Sequence, residues 1–402
     1  MVSAQAAAPL DRRIVIAALG VAQIFAWGTS FYFPAVFAEP IVRQTGWSLG
    51  WVVGGTSIGL LVAGLISPQV GKIIDKRGGR PVLLVSSLCY AAGLAIIGLA
   101  PALPVYLAAW VVLGIGMGTG LYDAVFAALG RMYGSAARQP IASLTLFGGF
   151  ASTVCWPLSA FMIDRVGWRA ACFAYAALHL AVSLPLQIAV LRRGSAPSAE
   201  TLAADAKTAS SAPIGNETLM FGLLALALSL AAGIGSIVVV HLLIFLQARG
   251  ADFTAAVALG TLFGPAQVGA RLIDRLFGAR YHPIWTMIAS SVLMALGLVM
   301  LYGQIRFLAL VIVLYAAGYG IFWIGRGTLP LALFGPVRFP SLMGKLAFPS
   351  LIVQALAPSA GALMIEAGGP QATIGILTII ALINLALIGA LWLLYRLQSS
   401  AP

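Results

Sequence analysis

Long apolar segments, separated by short polar gaps, run through the whole sequence. Each holds roughly 18 to 28 residues, the length that an α-helix needs to cross the hydrocarbon core of a bilayer. A transmembrane β-barrel would instead alternate apolar and polar positions over about ten residues, and the sequence shows no such alternation. The pattern predicts an all-α integral membrane protein with twelve transmembrane helices. These predicted helices span residues 14–37, 49–70, 81–99, 104–129, 141–163, 170–191, 218–246, 255–272, 284–302, 307–334, 346–365 and 372–393.

The predicted helices fall into two groups of six. The stretch 192–217 separates them, and its Ala, Ser, Lys and Asp without any aromatic residue are typical of a flexible linker. We therefore expect an N-terminal six-helix bundle over 1–191, a linker over 192–217 and a C-terminal six-helix bundle over 218–402.

The positions of Lys and Arg predict the orientation, because positively charged loops stay in the cytoplasm. If the amino terminus is inside, seventeen of the 23 Lys and Arg residues fall on the inner side and five on the outer side. The remaining one, Arg326, lies within a predicted helix. We expect a multi-pass protein of the bacterial inner membrane, with both termini and the linker in the cytoplasm.

Composition excludes most soluble functions. The chain is 61% hydrophobic and only 8% charged, whereas a soluble domain is about 25% charged. The net charge of +12 does not indicate nucleic acid, because the basic residues punctuate the gaps between apolar segments instead of forming one basic face. Cys89, Cys155 and Cys172 lie in three different predicted helices, so neither a disulfide nor a zinc site is expected. We expect no cofactor, no metal and no enzyme chemistry, since no nucleotide motif or nucleophile arrangement is present.

The two halves of the sequence repeat one another at an offset of about 200 residues, as transporters built from related bundles do. Residues 69–76 end the second predicted helix, and the similar stretch 267–275, which carries one extra residue, ends the eighth. The fourth and tenth helices also match, with Gly118, Gly120 and Asp123 facing Gly318, Gly320 and Arg326.

The stretch Gly71-Lys72-Ile73-Ile74-Asp75-Lys76-Arg77-Gly78-Gly79-Arg80 resembles the loop between the second and third helices of the major facilitator superfamily. The resemblance implies two pseudo-symmetric six-helix bundles that alternate access to a central cavity lined by the first, fourth, seventh and tenth helices. It also implies that Gly71 permits close packing, and that Asp75 forms a contact that breaks between states. The alternative is that the basic residues act only as topology determinants. The expected conformational gate comprises Gly71, Asp75, Lys76, Arg80, Asp274 and Arg275.

The stretch 27–32, Trp-Gly-Thr-Ser-Phe-Tyr, followed by Gly-Trp-Ser at 46–48, resembles bacterial porters of the monocarboxylate and oxalate/formate type. Oxalate-type porters use basic residues deep in the eighth and eleventh helices. Here Arg271 and Lys345 fall at the cytoplasmic ends of those predicted helices, so we expect no dicarboxylate clamp of that kind.

Two charged residues, Asp123 and Arg326, fall inside predicted helices, where a charge costs at least about 2.5 kcal/mol and needs a partner or a function. One hypothesis is that Arg326 binds an anionic group of the substrate while Asp123 competes for Arg326 or exchanges a proton. The alternative is a static ion pair that ties the two halves together.

Other candidate substrate residues lie on the same predicted helices. His241, in the outer part of the seventh helix, can titrate near neutral pH, whereas His179 in the sixth helix favours a structural role. The aromatic candidates for a pocket are Trp27, Tyr32, Tyr122, Tyr319 and Trp323, although each is equally compatible with packing or with anchoring at the membrane interface.

Together these features predict a monomeric secondary active transporter that moves a small organic, carboxylate-bearing solute by alternating access with proton coupling. Its expected partners are the solute, protons and the lipid bilayer. The alternative is efflux of drug-like or toxic compounds, including metalloids. A non-transporting sensor lacks support, because the sequence contains no added soluble domain.

Overall fold

The fold is α-helical, because a chain in hydrocarbon must satisfy its backbone N–H and C=O groups within each segment. The computed structural model describes residues 11–191 and 217–399, so residues 192–216 of the predicted linker lie outside the described residues. The α-helices are α1 (Arg12–Gly28), α2 (Pro34–Thr45), α3 (Leu49–Arg77), α4 (Arg80–Leu99), α5 (Leu103–Gly120), α6 (Tyr122–Tyr133), α7 (Arg138–Gly149), α8 (Ala151–Leu178), α9 (Leu184–Val190), α10 (Glu217–Ala248), α11 (Phe253–Gly260), α12 (Phe263–Phe277), α13 (Pro283–Tyr302), α14 (Leu308–Phe334) and α15 (Phe339–Ser399).

Each predicted transmembrane segment coincides with helical structure, although some segments are interrupted and others are joined. The first segment is divided into α1 and α2 by a turn at 29–33. Two helices meet without a loop at Gly167 inside α8 and at Gly369 inside α15, with φ values of 80° and 77° that glycine adopts without steric cost. In the described part of the chain, eight helical stretches are long and apolar enough to cross a membrane, and the longest contain several predicted segments. The total of twelve crossings stays a prediction.

A break between α5 and α6 interrupts the fourth predicted segment. Leu121 is extended, with φ −77° and ψ −176°, so α5 ends at Gly120 and α6 begins at Tyr122. Gln23 of α1 donates its Nε2–H to the carbonyl oxygen of Gly120 over 2.5 Å. The break places Asp123 in the first turn of α6, where free backbone N–H groups favour a negative charge.

The two halves of the sequence pack closely at the end of the bundle that carries the 71–80 loop, termed here the motif end. A Cβ atom added at Gly71 of α3 would lie 2.6 Å from the carbonyl oxygen of Pro340 and 3.1 Å from the Cα of Gly344, so this approach of α3 to α15 requires glycine. Ser67 Oγ also donates to the carbonyl oxygen of Gly344 over 2.9 Å. The expected close contact at Gly71 is therefore present.

A second contact between the halves lies at the same end. Arg138, at the start of α7, donates from Nη2 to the carbonyl oxygen of Gly278, just after α12, over 2.6 Å. The motif end is thus held closed from two sides.

Large apolar side chains are exposed along the outside of the bundle. Leu65, Phe161 and Leu363 are each at least 56% exposed. Such surface is unusual for a soluble monomer and suits a chain whose outer solvent is lipid.

Candidate functional site

Asp123 and Arg326 form an ion pair between the two halves of the sequence. Arg326 donates from Nε to Oδ1 of Asp123 over 2.8 Å and from Nη2 to Oδ2 over 2.9 Å. Its third nitrogen, Nη1, donates to Ser350 Oγ over 2.5 Å. The Arg326 side chain is 2% exposed and that of Asp123 is 15% exposed. All three nitrogens of the buried guanidinium are satisfied, and the paired geometry fits the planar fork of arginine.

A connected set of aromatic rings adjoins this pair, and the guanidinium of Arg326 lies over the ring of Trp323 at 5.6 Å. Trp27 of α1 lies 4.9 Å from the ring of Tyr122 and 5.4 Å from the ring of Trp323, measured between centroids. Tyr319 lies 6.0 Å from Trp323, and Tyr32 lies 6.2 Å from Trp27. The structure therefore brings all five predicted aromatic residues into one cluster that joins the two halves.

One aromatic residue of this region was not among the predicted candidates. Trp156 of α8 is 43% exposed, and its ring lies 6.0 Å from the ring of Tyr32, which is itself partly exposed. These two rings form the accessible edge of a cluster whose other members are nearly buried.

Arg271 corrects the expectation that only Asp123 and Arg326 are charged groups inside the bundle. It is 3% exposed and does not lie at a helix end, because α12 continues to Phe277. Its hydrogen bonds go from Nε to the carbonyl oxygen of Gly320 over 3.0 Å and from Nη1 to that of Thr145 over 2.7 Å. Arg271 therefore links α12 and α14 in the second half to α7 in the first.

The partners of Arg271 are all neutral. Besides the two carbonyl oxygens, Nη2 donates to Gln267 Oε1 over 3.2 Å. Within residues 11–191 and 217–399 Arg271 forms no ion pair, and the two pairs found there are Arg326 with Asp123 and Arg338 with Glu217. Among the described residues, the buried interior thus holds the guanidinium groups of Arg271 and Arg326, and only Arg326 has a carboxylate partner.

Arg271 is connected to the aromatic cluster through a shared acceptor. The carbonyl oxygen of Thr145 accepts from Arg271 and also from Tyr122 Oη, over 3.2 Å. A Cβ atom at Gly149 would lie 2.6 Å from Arg271 Nη1, so glycine there gives the guanidinium room to reach α7.

The extra residue in the second repeat was the available signal for Arg271. Its counterpart in the first repeat, Lys72, is exposed at the motif end. One added residue rotates a helix position by about 100°, which turns the next side chain from the surface towards the interior. By contrast, Lys345 is exposed in the first turns of α15, which agrees with its expected place at a helix end.

The two buried histidines lie apart from the aromatic cluster. His241 Nε2 is 3.0 Å from the carbonyl oxygen of Pro358, so it joins α10 to α15, and its role in substrate contact stays a prediction. His179 Nε2 is 2.9 Å from Thr29 Oγ1, and its ring stacks on Tyr90 with 4.9 Å between centroids. These contacts fit the structural role expected for His179.

The family model of the Major Facilitator Superfamily matches residues 18–281, which is more than half of the chain. The chain belongs to the major facilitator superfamily. No curated protein sequence matches it.

Solved structures of this superfamily share the fold. The human organic anion transporter MFSD10 (TETRAN) superposes with a TM-score of 0.70 at 15% identity, covering 94% of this chain and 99% of that one. The proton:xylose symporter XylE bound to 6-bromo-6-deoxy-D-glucose gives 0.69 at 13% identity, covering 93% and 94%. The transporter FucP in the outward conformation gives 0.69 at 13% identity, covering 96% and 99%. At identities this low the superpositions establish the fold alone, and membership of the monocarboxylate-type subgroup stays a prediction.

Membership of the major facilitator superfamily makes the chain a multi-pass membrane transporter. The residues expected to form the gate of this transporter lie at the motif end. Asp75 accepts a hydrogen bond there through its carbonyl oxygen, from Arg131 Nε over 3.0 Å, and Lys76 is exposed while Arg80 is partly buried. The contact found at Asp75 therefore lies within one half.

The second copy of the motif contributes a polar cavity to the same end. Asp274 accepts from Thr286 Oγ1 over 2.8 Å, and Arg275 is exposed. Both line a cavity of about 420 Å³ together with Arg12 and Arg138 of the first half. Gly71, Asp274 and Arg275 thus lie where the halves meet, and the role of the expected gate residues in switching stays a prediction.

Proposed function

We propose that this superfamily transporter carries a small carboxylate-bearing organic solute across the bacterial inner membrane by alternating access, with proton coupling. Superfamily membership supports secondary transport. The substrate class is inferred from the electrostatics of the site.

The buried guanidinium of Arg271 is the observation that carries this proposal. Taking a cation out of water costs several kcal/mol, and three neutral acceptors compensate that cost less well than a carboxylate does. An anionic solute that displaces one of these acceptors would supply the missing charge. Arginine also holds a carboxylate through two parallel hydrogen bonds, which adds geometric selectivity.

The aromatic cluster would receive the rest of the solute. The guanidinium of Arg326 lies over the ring of Trp323 at 5.6 Å, Trp27 packs against Trp323 and Tyr122, and the hydroxyl of Tyr122 shares an acceptor with Arg271. A pocket with apolar walls and a few charged groups is the usual composition of a small-molecule site.

Proton coupling would follow from the pair of Asp123 and Arg326. A solute carboxylate that competes for Arg326 would separate the pair, and a carboxylate left alone in a low-dielectric site is neutralised by a proton. Solute entry and protonation of Asp123 would thereby be linked.

The proposed orientation places the motif end in the cytoplasm, as the distribution of Lys and Arg predicts. The conformation described here would then be closed towards the cytoplasm, and residues 1–191 and 218–402 would move as two bundles about the central site.

Transport by purified protein in liposomes tests the proposal. Carboxylates that raise the melting temperature of the wild-type protein are first selected, and their uptake is then driven by an inwardly directed proton gradient. We expect Arg271→Gln to abolish uptake. Lys345→Gln is the control, because it removes an exposed positive charge from a helix of the same half, and it should leave uptake unchanged.

We expect Asp123→Asn to exchange solute across the membrane without accumulating it.

Two results would contradict the proposal. Full proton-driven accumulation by Asp123→Asn would remove this residue from coupling. Transport of neutral drug-like compounds in preference to every carboxylate would favour the efflux alternative.

A further inference from the structure

A second cavity lies at the end of the bundle opposite the motif end. It has a volume of about 730 Å³ and is formed where α10 ends, α11 begins and the turn at 303–307 leads into α14. α10 starts at the motif end, where Glu217 pairs with Arg338 over 2.6 Å, so its far end at Ala248 marks the opposite side.

Two arginines, Arg249 and Arg306, line this cavity. Arg249 Nε is buried from solvent and has no hydrogen-bond partner. A buried donor without a partner lowers the stability of the folded protein unless a ligand accepts its hydrogen bond. Across the described ranges neither arginine takes part in an ion pair. The nearest acid in sequence, Asp252, uses Oδ1 to cap the N–H of Ala255 over 2.8 Å and does not line the cavity. The cavity is therefore positively charged and has an unused buried donor.

The remaining walls are mostly apolar. Ala251, Leu259 and Leu308 line the cavity, and Phe307 at its rim is 74% exposed. An exposed aromatic residue at the end of a transmembrane helix is typical of the interface between acyl chains and headgroups. A soluble anion would need the two arginines only, whereas a molecule with an anionic head and an apolar tail would use both surfaces.

We propose that this cavity binds an anionic phospholipid, with Arg249 and Arg306 holding the phosphate and the apolar wall receiving the start of an acyl chain. Two arginines recognise phosphate oxygens by charge-assisted hydrogen bonds, and basic pockets between transmembrane helices bind lipid headgroups in this way. The site is separate from the central one, so it does not depend on the proposed transport function.

Thermal unfolding of the delipidated full-length protein tests this site with four probes: phosphatidylglycerol, phosphatidylcholine, diacylglycerol and inorganic phosphate. We expect phosphatidylglycerol to raise the melting temperature of the wild-type protein most. The double variant Arg249→Gln with Arg306→Gln should need at least tenfold more phosphatidylglycerol for the same shift, and Arg306→Gln alone, at an exposed position, should show part of that loss.

Arg165→Gln is the matched control, since Arg165 is an exposed arginine at the same end whose guanidinium lies over the ring of Phe161. It should respond to phosphatidylglycerol as the wild-type protein does. Equal shifts with phosphatidylcholine or diacylglycerol would overturn the proposal. Equal stabilisation by inorganic phosphate would overturn the lipid assignment in favour of a soluble phosphate. An unchanged response of the double variant would overturn the role of the two arginines.

Discussion

Arg326 uses every nitrogen of its guanidinium, two for Asp123 and one for Ser350, while Arg271 satisfies its own with neutral acceptors. The two buried cations are therefore not equivalent. Removing a partner from Arg326 leaves a buried charge without compensation, whereas Arg271 is already without an anion among the residues described. Arg326 is held by a carboxylate of the protein, whereas the proposed function assigns the solute carboxylate to Arg271 as its first partner.

This difference predicts the stability of variants at the pair. Asp123→Asn should lower the free energy of unfolding by about 3 kcal/mol, because it leaves the Arg326 charge buried and unpaired. Denaturant unfolding in detergent measures this loss. The double variant Asp123→Leu with Arg326→Met should recover part of it, since the buried charge is then absent. If the double variant loses as much free energy of unfolding as Asp123→Leu and Arg326→Met lose together, the two residues do not act as a pair.

At the scale of helices, the contact of α3 with α15 holds the motif end closed, and it depends on glycine. Gly71→Ala would push a methyl group against the backbone of Pro340, which cannot move as a flexible side chain does. We expect Gly71→Ala to favour the conformation that is open at the motif end. Spin-label distances between the two halves, measured across that end, should lengthen.

Gly269 provides the matched control, because it occupies the corresponding position in the second repeat and an added Cβ there would meet nothing within 4 Å. Gly269→Ala should leave the distances unchanged. Equal spin-label distances in Gly71→Ala and Gly269→Ala would show that the glycine contact does not control the opening of the motif end.

The start of α13 should respond to pH. His282 Nδ1 accepts the N–H of Ile284 over 3.3 Å, which requires the neutral ring. Partial burial, and secondly the charge of Arg138, lower the pKa of His282 from its ordinary value. The unfolded chain then binds a proton more readily than the folded one, so the His282 contribution to stability is present at neutral pH and is lost as pH falls below about 6.5. The melting temperature of His282→Asn, whose amide caps at any pH, should therefore fall less between pH 7.5 and 5.5 than that of the wild-type protein. An identical pH dependence would contradict this role.

Helix positions and the pairing of Asp123 with Arg326 were accessible from sequence, because each depends on local rules. Apolar length defines a membrane segment, and an isolated charge within one requires a partner. The break at Leu121 was not accessible, because the group that satisfies the freed carbonyl of Gly120 is Gln23, on another helix. Arg271 was misplaced for a related reason: hydropathy ended its helix too early, and only the three-dimensional contacts show which face it occupies.

At the scale of the whole molecule, the two halves meet at a closed motif end and at a central site that combines an ion pair, an aromatic cluster and a second buried arginine. Superfamily membership accounts for the paired arrangement of helices. Within the described residues, the centre also holds more positive than negative charge, because Arg271 has no carboxylate partner. Under the proposed function, that surplus would favour a carboxylate over a neutral solute.

Binding of a matched pair of solutes, a carboxylate and its primary amide, tests this account most directly. Isothermal titration of the wild-type protein should detect the carboxylate and give at least tenfold weaker binding of the amide, since a hydrogen bond to a charged group contributes about 1.5 to 3 kcal/mol. Arg271→Gln should remove that preference. Equal affinity of the wild-type protein for carboxylate and amide would contradict the account.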